Sequence, residues 1–406
     1  MYYSLMDTYL SSLVELDRFW KLVDSGHISK RVHPDDESLA VFSYTPKVQF
    51  SGLWTPETRL ARGLIVHFTD ERDGRVVGRG LPKFFTIDQI TAGDWASTVL
   101  IDDDENVTVE ETPEIPWDEP AHVANKLNGA LGLGYLAPDH TVAVATKGSF
   151  GSTEALIGTR LLKGRAQHAL RQLLAEGETP LFELITPERP HPVDYGELED
   201  LIFLGTVVQA TGEWLPATDE HPLVAAGHFR GAEVLEHSTL REAMAAPYEE
   251  NTEGMVVTVA DGQLFKVKSQ EYKDLRRAFY AVTEGNVKQL VGSMGYDELM
   301  TLNSPAELDF GDFGDLFAGH RRHLLERLRS RTWNHVLELQ NELKTARKAV
   351  RKLLERHEGD RGAVARSLSK DPKRALMLAT LAHELSTNDD GSRVVKAAKR
   401  TIDRRK

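Results

Sequence analysis

The chain reads as an α+β protein, with a strand-rich domain over residues 1–280 followed by an all-helical domain over residues 281–406. Three observations predict this. Short alternating apolar runs separated by turn signals recur from Leu39 to Lys268, which is strand patterning. From Gln270 onward the period becomes helical, and no strand pattern returns. The charge also divides: residues 321–406 carry 23 Lys+Arg against 11 Asp+Glu, a balance of +12, within a chain of net charge -13. Residues 1–320 therefore hold 26 basic and 51 acidic side chains, a balance of -25. A basic end suits a polyanionic partner, while the acidic remainder keeps the whole dispersed.

Composition removes several classes. At 406 residues with 41% hydrophobic and 27% charged side chains, the chain can bury cores for two or three domains. It has no cysteine, which excludes disulfides, thiolate nucleophiles and Cys-ligated zinc and suits a reducing cytoplasm. The start, Met1-Tyr-Tyr-Ser-Leu-Met-Asp7, has neither a basic region nor an apolar core, so no signal peptide is expected. No run approaches the ~18 apolar residues of a membrane helix. The expectation is a cytoplasmic protein with no membrane partner.

Element by element, Ser11–Val23 has helical apolar spacing, and Leu39–Tyr44 reads as a strand. Arg62-Gly63 runs into a strand ending near Phe68, and Asp73-Gly74 signals a hairpin. Lys83-Phe84-Phe85 places a cation beside two aromatics. Phe85 is the expected stacking face for a base. Residues 101–120 hold nine acidic side chains, three prolines and no Lys or Arg, an exposed loop or linker. Next comes Lys126-Leu-Asn-Gly129, where Asn-Gly suits a tight hairpin and sets Lys126 at a strand end.

Two strands follow, from Ala130 to Ala137 and from Thr141 to Thr146. The loop Lys147-Gly148-Ser149-Phe150-Gly151-Ser152 then leads into a helix expected from Glu154 to Glu176, with Ser152-Thr153 as its cap. Such a loop can hold an anion, although it lacks Walker spacing. Pro180–Ile185 is a strand carrying Glu183 among apolar neighbours, costly if internal and unpartnered. Asp200–Val208 is another strand. Glu253-Gly254 opens a strand that turns back at Asp261-Gly262 into Leu264–Lys268. Period-2 alternation puts Lys266 and Lys268 on one face and Phe265 and Val267 on the other. With Glu253 on the partner strand, those lysines can clamp a phosphate and a metal. Long amphipathic helices are expected over 319–357 and 361–386. Taken singly, Lys126 also fits a solvated lysine at a turn, Glu183 an outward-facing glutamate, and Lys266 and Lys268 a solvated basic face.

The ordered set Lys126, Glu183, Glu253, Lys266 and Lys268 resembles the covalent nucleotidyltransferases, the ATP-dependent ligases and capping enzymes. There a Lys-x-Asp-Gly lysine, a strand glutamate, a Glu-Gly and a final Lys-x-Lys line one pocket. The closer resemblance is to the T-even phage RNA ligase 1 family. It is carried by Arg62-Gly63, Lys83-Phe84-Phe85, Lys126-Leu-Asn-Gly129, Lys147-Gly148-Ser149, Phe182-Glu183, Glu253-Gly254 and Lys266-Val-Lys268-Ser-Gln-Glu-Tyr272, across roughly residues 55–280.

The resemblance implies an ATP-grasp-like nucleotidyltransferase domain of antiparallel sheets with helices, followed by an all-α domain that binds RNA, tRNA included. It implies ATP as co-substrate with Mg2+ or Mn2+, Lys126 as the residue that takes AMP, and Lys266, Lys268 and Glu253 around the α-phosphate, with Glu253 also toward metal. Glu183 is then placed at the ribose, and Gly129 and Gly254 at the nucleotide. Arg62, Lys83 and Lys147 are placed at ATP phosphates or the RNA end, Phe85 as a stacking or supporting ring, and Tyr272 beside the last lysine pair. A separate end-healing kinase or phosphatase is a further implied partner. Asn128 replaces the usual aspartate of the motif. Fungal tRNA ligases, which resemble this family, share that asparagine and require a 2′-phosphate at the junction. A catalytically inactive nucleotide- or RNA-binding homologue is the remaining alternative.

Overall fold

The computed structural model describes residues 7–91, 99–101, 107–109, 114–188, 191–281, 291, 294, 296–308, 310, 322–369, 371–384 and 391–403. The chain forms two compact units, Met1–Tyr272 and Lys273–Lys406. The division falls before residue 280, inside the helix Gln270–Ala281. Part of the acidic 101–120 segment and the start of the 319–357 run lie outside the described residues.

The first unit holds strands β1 (Ile28–His33), β2 (Asp36–Tyr44), β3 (Arg62–Phe68), β4 (Gly74–Gly78), β5 (Val99–Ile101), β6 (Val107–Val109), β7 (Ala121–Asn125), β8 (Ala130–Leu136), β9 (Val142–Thr146), β10 (Glu178–Ile185), β11 (Asp200–Val208), β12 (Trp214–Pro216), β13 (Gly254–Val259) and β14 (Leu264–Lys268). They build antiparallel sheets in the orders β1-β2-β3-β4, β12-β11-β10-β8-β9 and β14-β13-β7, with β5-β6 as a ribbon.

The alternation written into each strand decides which face is buried. On β14, Phe265 and Val267 enter a core with Trp54, Phe85, Val123, Val257 and Leu240, leaving Lys266 and Lys268 on the other face. The five-stranded sheet is covered on one face by helices Thr153–Leu162 and Gln167–Ala175, where Ile157, Leu162 and Leu170 meet Phe182, Leu184 and Phe203. Its other face meets the first sheet through Leu133, Tyr135 and Leu181 against Leu39, Val41 and Ile65.

Three expectations change. The single helix over 154–176 is two helices, because Gly164 at φ 78° and Ala166 at φ 45° break the helical path. The run over 361–386 is likewise two helices, Arg361–Ser367 and Arg374–Glu384, parted around Pro372. Lys126–Gly129 is not a hairpin: β7 and β8 belong to different sheets, and the segment crosses between them.

The second unit is helical throughout its described residues. Arg322–Arg356 packs Val336, Leu339, Leu343 and Val350 against Leu376 and Leu381 of Arg374–Glu384 and against Val394, Val395 and Ala398 of Ser392–Asp403.

Phe182 is wholly buried and joins Phe203 and Phe229 in the core beneath β10. Phe182→Ala should cost about 3–5 kcal/mol of stability. Urea unfolding of the variant within 1 kcal/mol of the parent would contradict this packing.

Candidate active site

The site sits where the three-stranded and five-stranded sheets meet. Lys126 follows the last residue of β7, and its backbone N–H donates to Gly254 O at 2.8 Å. Its ammonium lies 2.9 Å from Glu253 Oε1, and Lys268 Nζ lies 2.6 Å from the same oxygen. The register explains the meeting: Gly254 pairs with Lys268 across β13 and β14, and Asn125 pairs with Met255 across β7 and β13. Gly254 sits at φ 133°, and a Cβ there would lie 2.0 Å from Val267 O, so the strand start needs glycine.

Glu253 is 3% exposed. Its second oxygen accepts from Asn128 Nδ2 at 2.9 Å, and the same amide donates to Tyr272 OH at 2.9 Å. Tyr195 OH accepts from the Asn128 backbone N–H at 2.8 Å. The Tyr272 ring lies under Lys268, with Nζ 5.1 Å from the centroid. Burial pushes the Glu253 carboxyl up, but Lys126 and Lys268 outweigh it and hold the group below the usual range.

Glu183 reaches the same centre from the five-stranded sheet. β10 is internal, between β11 and β8, so the carboxylate needs a partner, and it accepts from Gly129 N–H at 2.7 Å. A Cβ on Gly129 would lie 2.3 Å from Leu184 O, so glycine here serves close approach. Burial pushes the Glu183 carboxyl up to about 7; Lys126 opposes the shift and Glu253 adds to it.

Lys266 Nζ donates to Phe84 O at 3.0 Å and stands 3.9 Å over the Phe84 ring. Burial, and then Arg62, Lys83, Lys126 and Lys268, hold its pKa well below the ordinary lysine value. Arg62 donates to Leu81 O at 3.1 Å and faces the Phe84 ring at 5.9 Å.

A cavity of about 100 Å³ opens between the two sheets, lined by Arg62, Lys126, Glu183 and Lys266 and by apolar walls including Leu131, Trp214 and Val256. Lys83 and Lys147 are not on its lining: Lys83 lies over the Trp54 and Phe85 rings at 5.2 and 4.6 Å, and Lys147 over Tyr44 at 4.7 Å. Phe85 is buried in the core, 4% exposed, and it is Phe84 that lines the cavity. Sequence reasoning also passed over Tyr195 and His122, a further cavity residue. Their signal is three-dimensional, except that His122 and Lys126 share one face of an extended segment.

The residues do not form a metal cage. Both Glu253 oxygens are taken, and among the described residues there is no group of three His, Cys, Asp or Glu placed to hold an ion. The arrangement is instead a converging set of cations around one lysine, suited to a polyphosphate.

Antiparallel sheets thus bring one lysine between two carboxylates and two further cations. The family model described as RNA ligase, of the T4 RNA ligase 1 type, matches residues 60–273, a span that contains Arg62, Lys126, Glu183, Glu253, Lys266 and Lys268, and the chain belongs to this family. A provisionally named RNA ligase of Thermovibrio ammonificans is 29% identical over 278 residues, covering 66% of this chain and 65% of the relative, which is less than two thirds of that protein. Among solved structures, form 1 of an archaeal ATP-dependent RNA ligase aligns over 80% of this chain and 79% of its own, at 12% identity and TM-score 0.44. A variant Naegleria gruberi RNA ligase with ATP and Mn aligns over 62% and 98%, at 13% identity and TM-score 0.32.

The Glu183 carboxyl titrates near 7 in the folded chain against 4.5 otherwise. Its ionised form therefore disfavours the fold, and stability contributed by the neutral form is lost as pH rises through that window. Glu183→Gln should gain on the parent between pH 4 and pH 8 by on the order of 1–3 kcal/mol. Melts in which the gap between the two proteins stays constant with pH would contradict it.

Proposed function

We propose that the chain is an ATP-dependent RNA ligase that joins RNA 5′-phosphate and 3′-OH ends through a lysyl-AMP intermediate on Lys126. The observation that carries this reading is the buried Lys126–Glu253–Lys268 cluster beside Lys266 and Arg62. Lys266, desolvated and with its charge opposed by Arg62, Lys83, Lys126 and Lys268, marks a site prepared for an anion. The triphosphate of ATP supplies that charge next to the one lysine that closes the crossing between the sheets.

In the first step Lys126 Nζ attacks the α-phosphorus, the bond to the β-phosphate oxygen breaks, and pyrophosphate leaves. The amine must first be neutral, against a reference pKa of about 10.4. Lys266 and Lys268 neutralise the charge that develops on the α-phosphate. In the second step an RNA 5′-phosphate oxygen displaces Lys126 and takes the AMP. In the third a 3′-OH attacks that activated phosphate and AMP departs. Glu183 faces the ribose, Tyr272 fixes Lys268 and Asn128, and Arg62 holds phosphate. Lys83 and Lys147, outside the cavity, serve the RNA end. Glu253 is committed to two ammoniums, so a divalent ion, Mg2+ or Mn2+, would be held chiefly by the ATP phosphates and would supply further charge neutralisation there.

Asn128 supports the active reading over a lapsed homologue. Its amide donates to Glu253 and Tyr272 at once, so asparagine in place of the usual aspartate keeps this network satisfied. Incubation with α-labelled ATP should label the protein, and Lys126→Ala should abolish the label. Persistent labelling of that variant would remove Lys126 from its role, and labelling by GTP alone would replace ATP. Ligation of paired RNA ends with and without a 2′-phosphate then separates the phage-type joint from the fungal type.

For the helical unit we propose binding of the RNA body, structured RNAs such as tRNA included. Its support is a groove of about 670 Å³ lined by Lys373, Arg374, Arg393, Lys396 and Arg400, with no acidic residue on its lining. Arg393, Lys396 and Arg400 are exposed on one face of the helix Ser392–Asp403. Reversing those three charges should weaken RNA binding on the order of 100-fold at 0.1 M salt and flatten the plot of log affinity against log salt by about 2. Unchanged binding would remove the groove from the RNA path while leaving protein labelling unaffected.

A further inference from the structure

The cavity has a polar group at the end away from its cations. Cross-strand register lays it out in rows. Gly254 pairs with Lys268 at the Lys126 end, Ala124 and Val256 with Lys266 in the middle, and His122 with Thr258 and Leu264 beyond. Charge therefore fades along β7 from Lys126 to His122, a separation of about 13 Å. That distance suits a nucleoside monophosphate held at Lys126 by its phosphate. The cavity's apolar walls are Leu131, Leu204, Trp214 and Val256, the last in the Lys266 row.

His122 lies on this lining, and its Nε2 is shut off from solvent with no hydrogen-bond partner. A buried ring nitrogen left without a partner is unfavourable until something bonds it. No other buried, unpartnered side-chain atom among the described residues lines this cavity. Thr258, its cross-strand neighbour on the lining, leaves the nitrogen unsatisfied. A flat heteroaromatic ring between those apolar walls would present its edge to that nitrogen.

Resting on the nucleotide-transfer reading above, we infer that His122 is the base-contacting residue of the cavity, hydrogen-bonding the edge of the adenine of ATP. Burial lowers the imidazole pKa and keeps the ring neutral. A neutral ring in one tautomer presents either a donor or an acceptor at Nε2, not both. Adenine and guanine carry opposite donor and acceptor patterns on their pairing edges. One fixed nitrogen therefore discriminates between them, while the apolar walls accept either purine.

The test uses the full chain and α-labelled nucleotides. His122→Phe fills the space and removes the nitrogen. It should raise the ATP concentration for half-maximal labelling about five- to tenfold, leave the maximal labelling rate within about twofold, and lower the preference for ATP over GTP. His122→Gln restores a polar group and should recover part of the loss. It also carries the test if the phenylalanine variant does not fold. Half-maximal ATP and base preference within twofold of the parent in the folded variant would overturn the assignment. Failure of the parent itself to label with ATP overturns the nucleotide-transfer reading, a result distinguishable from the first.

Discussion

The carboxylate of Glu253 is the group on which the site depends. It lies in the protein interior and is bonded by Lys126, Lys268 and Asn128. A buried carboxylate is tolerated only when its oxygens are satisfied, and removing one partner from such a set typically costs about 3–5 kcal/mol. The three partners come from the crossing between β7 and β8 and from the end of β14. One side chain therefore fixes a loop and two strand termini together, and Tyr272 extends the tie into the following helix through the Asn128 amide.

Around that tie the charges are unbalanced by design of the strands. Alternation on β14 sends Lys266 and Lys268 away from the apolar core; Lys266 lines the cavity with Arg62, and Lys268 pairs with Glu253. Two carboxylates face this group, and the nearer one is already spent on ion pairs. The remaining positive potential, strengthened by low local dielectric, is what a triphosphate would meet. Glu183 shows the other side of the same environment: its burial outweighs the neighbouring cations and brings its titration to neutrality.

Local chemistry made much of this legible in the sequence. Period-2 alternation placed the two lysines of β14 on one face, and the Asp261-Gly262 turn fixed their register against Glu253. The order of Lys126, Glu183, Glu253, Lys266 and Lys268 carried the family resemblance that the match over residues 60–273 bears out. The illegible parts depend on contacts distant in sequence. Asn-Gly at 128–129 suggested a hairpin, yet the segment passes from one sheet to another, because Gly129 must slide under Leu184 O. Of two adjacent phenylalanines, pattern could not say that Phe84 faces the cavity and Phe85 the core. Tyr195 lies in a loop with no strand or helix period to point it inward. The break at Gly164 was visible as a glycine, but the helical run on both sides concealed it.

The crossing at Lys126 has a mechanical aspect. Glu253 leads into β13, the middle strand of the three-stranded sheet, Glu183 lies on β10, the middle strand of the five-stranded one, and the four residues between β7 and β8 are fastened to both. Sliding one sheet over the other by a fraction of an ångström would alter the spacing of lysine to carboxylate before it disturbed either core. The site is thus a strain gauge mounted across the seam of its own scaffold, and its geometry registers how well the two layers are seated.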